Sequence, residues 1–188
     1  MLPRAKEIVD LADLKMQETV DFLVEDLKTY RLGRATPNIF DGVSVDYYGS
    51  PTPLSQCATI SAPDARTLLI QPWDRSLLKK VEKAIIDANV GLTPTDNGEV
   101  IRCVVPALTE ERRKELIKKA KAAGESAKVA IRNARREAVD LLKKAQKNEG
   151  LSEDGEKEGE DEVQKVTDKN IKKIDELISA KEKDIMTV

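Results

Sequence analysis

One stretch of the chain, from Leu108 to Lys147, is predicted to form a single long α-helix. It lacks proline, contains one glycine, and is otherwise rich in Ala, Leu, Lys, Arg and Glu, which are strong helix formers. At about 1.5 Å per residue such a helix would extend roughly 58 Å, far beyond the average helix of a globular domain. Its apolar seam is rich in alanine, which would let a partner helix approach closely; the predicted seam is Leu116, Ala120, Ala123, Ala127, Ile131, Ala134, Ala138, Leu141 and Ala145.

Two further segments carry the same kind of amphipathic pattern and supply partners for this helix. Residues 4–30 are predicted to be helical, with a stripe formed by Ala5, Ile8, Ala12, Met16, Val20, Leu23 and Leu27. A third helix is predicted to open within the acidic stretch 150–162, with a seam of Val163, Val166, Asn170, Ile174, Leu177, Lys181 and Ile185. Three long amphipathic helices bury their apolar stripes against one another, so a three-helix bundle is expected.

The segment between Asp41 and Pro106 has the pattern of a separate, mixed domain. Alternating residues predict strands at 43–47, 57–62, 66–71 and 100–105, and the Gly- and Pro-rich residues 48–53 predict a turn. Asp74 is predicted to cap one helix that buries Leu77, Leu78, Val81, Ile85 and Ala88, and Trp73 before it is expected to pack at the strand–helix junction. The fold class is therefore α+β, with a small β/α/β domain (31–106) inserted into a discontinuous bundle (1–30 and 107–188).

The chain must cross between the two predicted domains twice, near residues 31–36 and 105–108. Gly33, Val105 and Pro106 lie in these crossings. Short paired crossings that contain glycine and proline favour a hinge between the domains. A rigid corner held by packed side chains is the alternative that the residues leave open.

Charge is unevenly distributed along the chain, although 32 Lys and Arg against 34 Asp and Glu leave a net charge of only −2. Residues 106–149 contain 13 cations and 7 anions, a net of +6, whereas residues 150–162 contain 1 cation and 7 anions, a net of −6. On a helical wheel the cations of the long helix within about 60° of Arg132 form one face, here named the basic ridge; it consists of Lys114, Lys118, Lys121, Lys128, Arg132, Arg135, Arg136 and Lys143.

Three interpretations of the basic ridge remain open from the residues: polyanion binding, an acidic protein partner, or a solvated face. Intrahelical ion pairs would place Glu four residues before Lys or Arg on this face, and it holds almost only cations. Arginine, concentrated at 132, 135 and 136, suits phosphate better than lysine does. Without aromatic residues or a row of base-reading amides, the ridge would recognise the backbone and shape of a structured RNA.

Several classes of function are disfavoured by composition. The chain has no histidine, which removes Ser-His-Asp and Cys-His chemistry and most zinc sites, and no Gly-rich phosphate loop occurs. An enzyme, a metal and a cofactor are therefore not expected. Cys57 and Cys103 lie in strand-like runs, where two buried thiols are favoured over a disulfide. No signal peptide or membrane-spanning run is found; a cytoplasmic protein is the simplest interpretation, and a processed organellar protein is the alternative that would look the same.

Four stretches of the chain closely resemble the bacterial ribosome recycling factor family. They are RLGRATPNIFDGVSVDYYGSPTPL at 31–54, LTEERRKEL at 108–116, KVAIRNARREAVD at 128–140 and QKVTDKNIKKIDEL at 164–177. The resemblance covers nearly the whole chain. Leu32 stands where the family usually has a smaller residue.

The resemblance implies an L-shaped, two-domain protein without catalytic activity of its own. It is expected to act as a monomer on the large ribosomal subunit and, with elongation factor G and GTP, to split the post-termination ribosome. The family's rRNA-binding arginines match Arg132 and Arg135, with Arg31 and Arg136 beside them. Lys128 of the basic ridge completes the residues predicted to bind 23S rRNA. The family's hinge corresponds to Gly33, Val105 and Pro106.

Overall fold

The computed structural model describes all residues from Met1 to Val188 and contains two compact units. The first unit comprises Met1–Tyr30 and Glu110–Thr187, and the second comprises Arg31–Thr109. Three long helices form the first unit: α1 (Pro3–Lys28), α3 (Glu110–Asn148) and α4 (Glu153–Met186). The second unit contains six strands and one helix, α2 (Leu78–Asp87). No helix is both long enough and apolar enough to cross a membrane.

Helix α1 begins at a proline that supplies the fixed backbone angle of a first helical turn, and it ends in a turn at Thr29. All seven residues of its predicted apolar stripe are buried, together with Val9. The stripe packs against both α3 and α4. The prediction from its spacing of three and four residues is therefore confirmed.

Helix α3 spans 39 residues, and its buried seam differs from the predicted one at three places, the first being Ala134, which is only half-buried. Leu142 is fully buried, whereas Leu141 is 37% exposed, and Gly124 is buried in place of Ala123. The reason lies in the partner helix, because Gly159 of α4 leaves room for the Leu142 side chain. Because Gly159 of α4 has no side chain, Leu142 rather than Leu141 is the buried residue of α3 at this point.

Helix α4 begins inside the acidic stretch, where Ser152 accepts a hydrogen bond from the Gly155 amide at 3.1 Å. Three acidic residues, Glu153, Asp154 and Glu156, lie in its first turn, where the helix dipole favours negative charge. Of the predicted seam, Val163, Asn170, Ile174 and Ile185 are buried, and Val166, Leu177 and Lys181 are half-buried. Gly155, Gly159 and Thr167 complete the buried face.

The second unit contains a four-stranded antiparallel sheet in the order β3-β4-β6-β5 and a separate hairpin, β1-β2. The strands are β1 (Ser44–Tyr47), β2 (Ser50–Pro53), β3 (Ala58–Asp64), β4 (Thr67–Pro72), β5 (Pro94–Asp96) and β6 (Ile101–Val104). Helix α2 buries Leu78, Val81 and Ile85 in the same core as the strands. Cys57 and Cys103 lie in that core as free thiols.

Three predictions for this unit need correction. Of residues 48–53, all predicted as a turn, only Tyr48 and Gly49 form it, because both adopt positive φ and reverse the chain in two residues; residues 50–53 form β2. Trp73 is not a packing residue: it is 68% exposed, and its indole N–H donates to Thr59 Oγ1 at 3.0 Å. Ala88 is exposed because α2 ends before it. Asp74 does cap the helical segment, accepting from the Ser76 amide at 2.9 Å.

Candidate nucleic-acid interface

Three arginines of α3 belong to the part of the basic ridge that has no internal partner, which also includes Lys114, Lys118 and Lys143. Arg132 and Arg136 are exposed and Arg135 is half-buried. They fall at spacings of one, three and four residues, so their side chains leave the same side of the helix. None of the three forms an ion pair or a side-chain hydrogen bond within the protein. Three guanidinium groups are thus presented together without a counterion from the fold.

Lys128, one turn before Arg132, has a different environment. Its Nζ lies 2.5 Å from Asp175 Oδ1 on α4 and 3.5 Å from Glu125 Oε1, and its side chain is only 18% exposed. The hydrogen bond to Asp175 raises the pKa of Lys128 above its usual value. Lys121 is likewise near an α4 carboxylate, with 3.8 Å between its Nζ and Glu182 Oε1. The α4 side of the basic ridge is therefore neutralised, and the arginines are not.

Two of the acidic residues near the arginines are paired with lysines, whereas Asp140, one turn after Arg136, is exposed and has no partner within the protein. Glu137 Oε2 accepts a hydrogen bond from Lys15 of α1 at 2.8 Å. Glu125 faces Lys128. Because these carboxylates are turned toward lysines, they do not cancel the charge of the arginines. The local field at Arg132, Arg135 and Arg136 is positive, although the chain as a whole is slightly acidic.

Arg31 belongs to the second unit. It is exposed and immediately follows the end of the first unit. Its guanidinium lies against the backbone of Gly91, where a Cβ would meet Arg31 Nη1 at 3.1 Å. Gly91 has a φ of +79°, which favours glycine in any case.

The residues expected at the hinge lie close together within the second unit. Gly33 has a φ of +71°, and a Cβ on it would lie 3.0 Å from Leu108 N and 3.1 Å from Pro106 O. The two crossing segments therefore touch at a position where only glycine fits without strain. Val105 is 6% exposed, and its amide donates to Arg66 O at 2.7 Å.

A feature that sequence reasoning missed is the turn between β3 and β4, which holds both crossing segments. The Ala35 amide donates to Ala65 O at 2.8 Å, and Arg66 Nε donates to Val105 O at 3.1 Å. Each crossing segment is thus tied to the sheet just inside the second unit, which fixes Ala35 and Val105. An Asp-Ala-Arg sequence between two strands indicates a turn, but nothing in it indicates what the turn would contact.

Comparisons with known proteins agree on one family. The family model described as "Ribosome recycling factor" matches residues 23–186. The ribosome-recycling factor of Porphyromonas gingivalis is 52% identical over 183 residues, covering 97% of this chain and 98% of that protein. That of Staphylococcus epidermidis is 53% identical over 182 residues, covering 97% and 99%.

Two solved structures show the same fold. A solution structure of the ribosome recycling factor superposes with a TM-score of 0.79 at 39% identity and covers 100% of both chains. A second structure is described as models of the Thermus thermophilus ribosome recycling factor and the Escherichia coli elongation factor G bound to the E. coli post-termination complex. It matches with a TM-score of 0.59 at 45% identity, covering 96% of this chain and 98% of that one.

Proposed function

The chain belongs to the ribosome recycling factor family, and we propose that its α3 arginines hold the RNA of the large ribosomal subunit during recycling. The function of the family is to bind the post-termination ribosome and, with elongation factor G and GTP, to split it into subunits. The observation that carries the proposal is that Arg132, Arg135 and Arg136 are exposed or half-exposed on one side of α3 without a partner in the fold.

The arginines suit phosphate for two physical reasons. A guanidinium presents several N–H donors in a planar fork that matches phosphate oxygens, and it keeps its charge at any physiological pH. Three such groups on a helix can follow successive phosphates of one strand, and binding releases condensed counterions. The target of this surface is 23S rRNA, recognised through its backbone and shape. Lys128, which belongs to the same predicted set, contributes less, since it is held by Asp175. Arg31, in the second unit, remains part of the proposed set.

The first unit provides a rigid support for the arginines. Helix α3 is packed on both α1 and α4, with Ile131 fully buried directly beside Arg132. A surface fixed to a helical bundle transmits force without bending, because it has no loops at the points of contact. Anchoring by the arginines and stiffness of the bundle together make a lever on which the GTPase partner can act.

The crossing segments supply the compliance that such a lever needs. Because Ala35 and Val105 are tied to the β3–β4 turn, we expect movement to be confined to residues 31–34 and 106–109. Gly33 and Pro106 lie in these short pieces. A covalent cross-link that joins the two units is expected to leave ribosome binding intact and to abolish splitting by elongation factor G and GTP. Unimpaired splitting by the cross-linked protein would contradict the hinge.

The remaining properties follow from this role. GTP is hydrolysed by the partner, so the chain itself needs no catalytic group and no cofactor. We propose that it works as a monomer in the cytoplasm, where ribosomes are recycled. A light-scattering assay of post-termination ribosomes, with elongation factor G and GTP added or withheld, tests the whole function. Splitting that needs this chain, the GTPase and GTP together is the expected result.

Arg132, Arg135 and Arg136 together are here named the arginine surface. To test it, Arg132 and Arg135 are replaced singly with glutamine, and the affinity for purified large subunits is measured across a salt titration. Each replacement is expected to weaken binding and to reduce the slope of log affinity against log salt by about 1 for each phosphate that is no longer neutralised. Lys144→Gln is the matched control, because Lys144 is exposed on the same helix about 120° away from Arg132. Arginine variants that bind like the parent at every salt concentration would refute the proposal.

A further inference from the structure

Phe22 is an exposed aromatic side chain in a protein that has few of them. Only 3% of the residues are aromatic, and the chain has two phenylalanines. Phe40 is 3% exposed in the core of the second unit, whereas Phe22 is 77% exposed on α1. It lies outside the buried stripe of α1, whose nearest members are Val20 and Leu23. Its ring therefore contributes nothing to the bundle core and is available to a ligand.

Phe22 borders a groove between α1 and α3. The α1 wall consists of Lys15, Glu18, Thr19 and Phe22, and the α3 wall consists of Ala130, Asn133, Ala134 and Glu137. Because the side chains of Ala130 and Ala134 are short, the α3 wall of the groove leaves open space beside the ring of Phe22. The ion pair between Lys15 and Glu137 closes one end of the groove, with 2.8 Å between Nζ and Oε2. A planar group that enters the groove would meet the face of an aromatic ring.

The groove lies directly beside the arginine surface. On α3, Val129, Asn133 and Arg136 fall at i, i+4 and i+7, which places them on one stripe of the helix. Arg132 immediately precedes Asn133, and Val129 is 51% exposed. A nucleic-acid strand whose phosphates contact Arg132 and Arg136 therefore runs along the rim of the groove.

The arginine surface and the groove differ in charge, and this difference decides which part of a nucleotide each of them can bind. The arginines are cationic, whereas the groove contains two carboxylates, Glu18 and Glu137, against one lysine. Phosphate is repelled from such a groove, and a neutral base is not. Glu18 and Asn133 make no side-chain hydrogen bond within the protein, so a free acceptor and a free amide face the groove.

We propose that the α1–α3 groove receives one unpaired nucleobase of the ribosomal RNA whose phosphates are held by Arg132 and Arg136. This inference rests on the proposed RNA-binding function and adds a base site to it. Phe22 stacks on the base, which is a contact that every base can make. Glu18 can accept from the amino group of cytosine at N4, and the Asn133 amide can pair with adenine N6 and N7. The preferred occupant is therefore an unstacked adenine or cytosine, and uracil is disfavoured.

The test is chemical probing of purified large ribosomal subunits with dimethyl sulfate, which methylates unpaired adenine at N1 and cytosine at N3. The parent protein, added at saturation, is expected to protect at least one such base. Phe22→Leu, which keeps an apolar side chain and removes the aromatic face, is expected to lose that protection and to bind about tenfold more weakly. Phe22→Tyr, which keeps the ring, is expected to behave as the parent does.

Two controls decide whether any loss is specific to the groove. Leu11→Ala truncates another apolar residue of α1, which is 48% exposed and lies three turns away, and it is expected to retain the protection. Circular dichroism and thermal unfolding of the Phe22 variants are expected to match the parent, since the side chain is outside the core. Loss of the same protection in Leu11→Ala, or retention of it in Phe22→Leu at full occupancy, would overturn the proposal.

A photoreactive benzoylphenylalanine at position 22 distinguishes a base from a protein segment in the groove. Cross-linking to rRNA, at the nucleotide that the parent protects, supports the base site. Cross-linking to a ribosomal protein overturns it. The proposed RNA-binding function fails separately, when Arg132→Gln and Arg135→Gln leave subunit binding unchanged. Binding that depends on the arginines but not on Phe22 removes only the base site.

Discussion

The Nζ atom of Lys128 lies 2.5 Å from Oδ1 of Asp175, so a cation of the basic ridge on α3 is held by the neighbouring helix α4. One turn further along α3, Arg132 has no such partner. Two residues that a helical wheel places on the same face therefore differ in what they can offer a ligand. For Lys128 to bind a phosphate, its ion pair with Asp175 would have to break. The free energy lost with that ion pair offsets the free energy gained from the phosphate contact.

The Lys128–Asp175 pair gives the first prediction. Lys128→Gln is expected to lower the thermal midpoint slightly, because Asp175 loses its partner, and to leave the salt dependence of large-subunit binding close to that of the parent. Arg132→Gln is expected to do the reverse, with an unchanged midpoint and a smaller salt slope. Thermal unfolding and salt titration of the two variants, side by side, make the comparison. A salt slope reduced equally by both substitutions would show that Lys128 contacts the RNA directly.

The contact between Gly159 and Leu142 gives the second prediction. A Cβ on Gly159 would lie 2.7 Å from Leu142 Cδ2, and Leu142 is fully buried. Gly159→Ala is expected to cost about 1–3 kcal/mol in overpacking and to regain about 1 kcal/mol in helix propensity, since alanine is the better helix former. The net result is a decrease of roughly 1 kcal/mol in the free energy of unfolding, measured by urea denaturation.

A double-mutant cycle provides the control for this contact. Leu142→Ala alone is expected to cost about 2–5 kcal/mol, because it opens a cavity in the bundle. In the double variant the new methyl group at 159 occupies part of that cavity, so the combined destabilisation is expected to be smaller than the sum of the two single effects. Strict additivity would mean that the two side chains do not meet.

Gly33 gives the third prediction, with Gly98 as its matched control. Both glycines have positive φ, +71° and +89°, so alanine is strained at either position by about 1–2 kcal/mol. Only at Gly33 would the new Cβ also press on backbone atoms, Leu108 N at 3.0 Å and Pro106 O at 3.1 Å, whereas nothing lies within 4 Å at Gly98. Gly33→Ala is expected to lower the thermal midpoint more than Gly98→Ala does. Equal decreases in the two thermal midpoints would show that the two crossing segments move apart without cost to make room for the new methyl group.

Cys103 gives the fourth prediction, which concerns pH. Burial raises the pKa of its thiol to about 11, above the value of about 8.5 for an exposed thiol. Between about pH 8.5 and 11, the folded state keeps the thiol proton of Cys103, whereas the unfolded chain loses it. The stabilising contribution is therefore complete below about pH 8.5 and is lost as the pH rises toward the folded-state pKa. Urea denaturation between about pH 7 and 10 measures the decrease in stability, which is expected to be smaller in Cys103→Ala.

The same burial protects the Cys103 thiol from reagents. In native buffer the thiol is expected to react with a disulfide reagent far more slowly than a free cysteine does, because its thiolate is rare and its access is blocked. Addition of urea is expected to restore the ordinary rate. Rapid labelling of the folded protein would contradict the burial of this residue.

The three long helices could be derived from the order of the residues alone, because a period of 3.6 residues appears directly as spacings of three and four. The buried stripe of α1, the capping by Asp74 and the position of the arginines on α3 could also be derived from the sequence. So could three strands of the four-stranded sheet, β3, β4 and β6. Each of these depends on neighbours that are close along the chain. The strands β2 and β5 were missed because they are short and their residues carry no alternation, and they exist only through pairing with β1 and β6.

Which residues on these elements are free to act is set by tertiary packing. The exchange of Leu141 for Leu142 in the α3 seam depends on a glycine of α4. The neutralisation of Lys128 depends on Asp175, which lies 47 positions further along the chain. The groove beside Phe22 exists because α1 and α3 pack with alanines between them. Local spacing predicts the face of a helix, but what lies against that face is set by side chains far away in the sequence, and no local pattern records them.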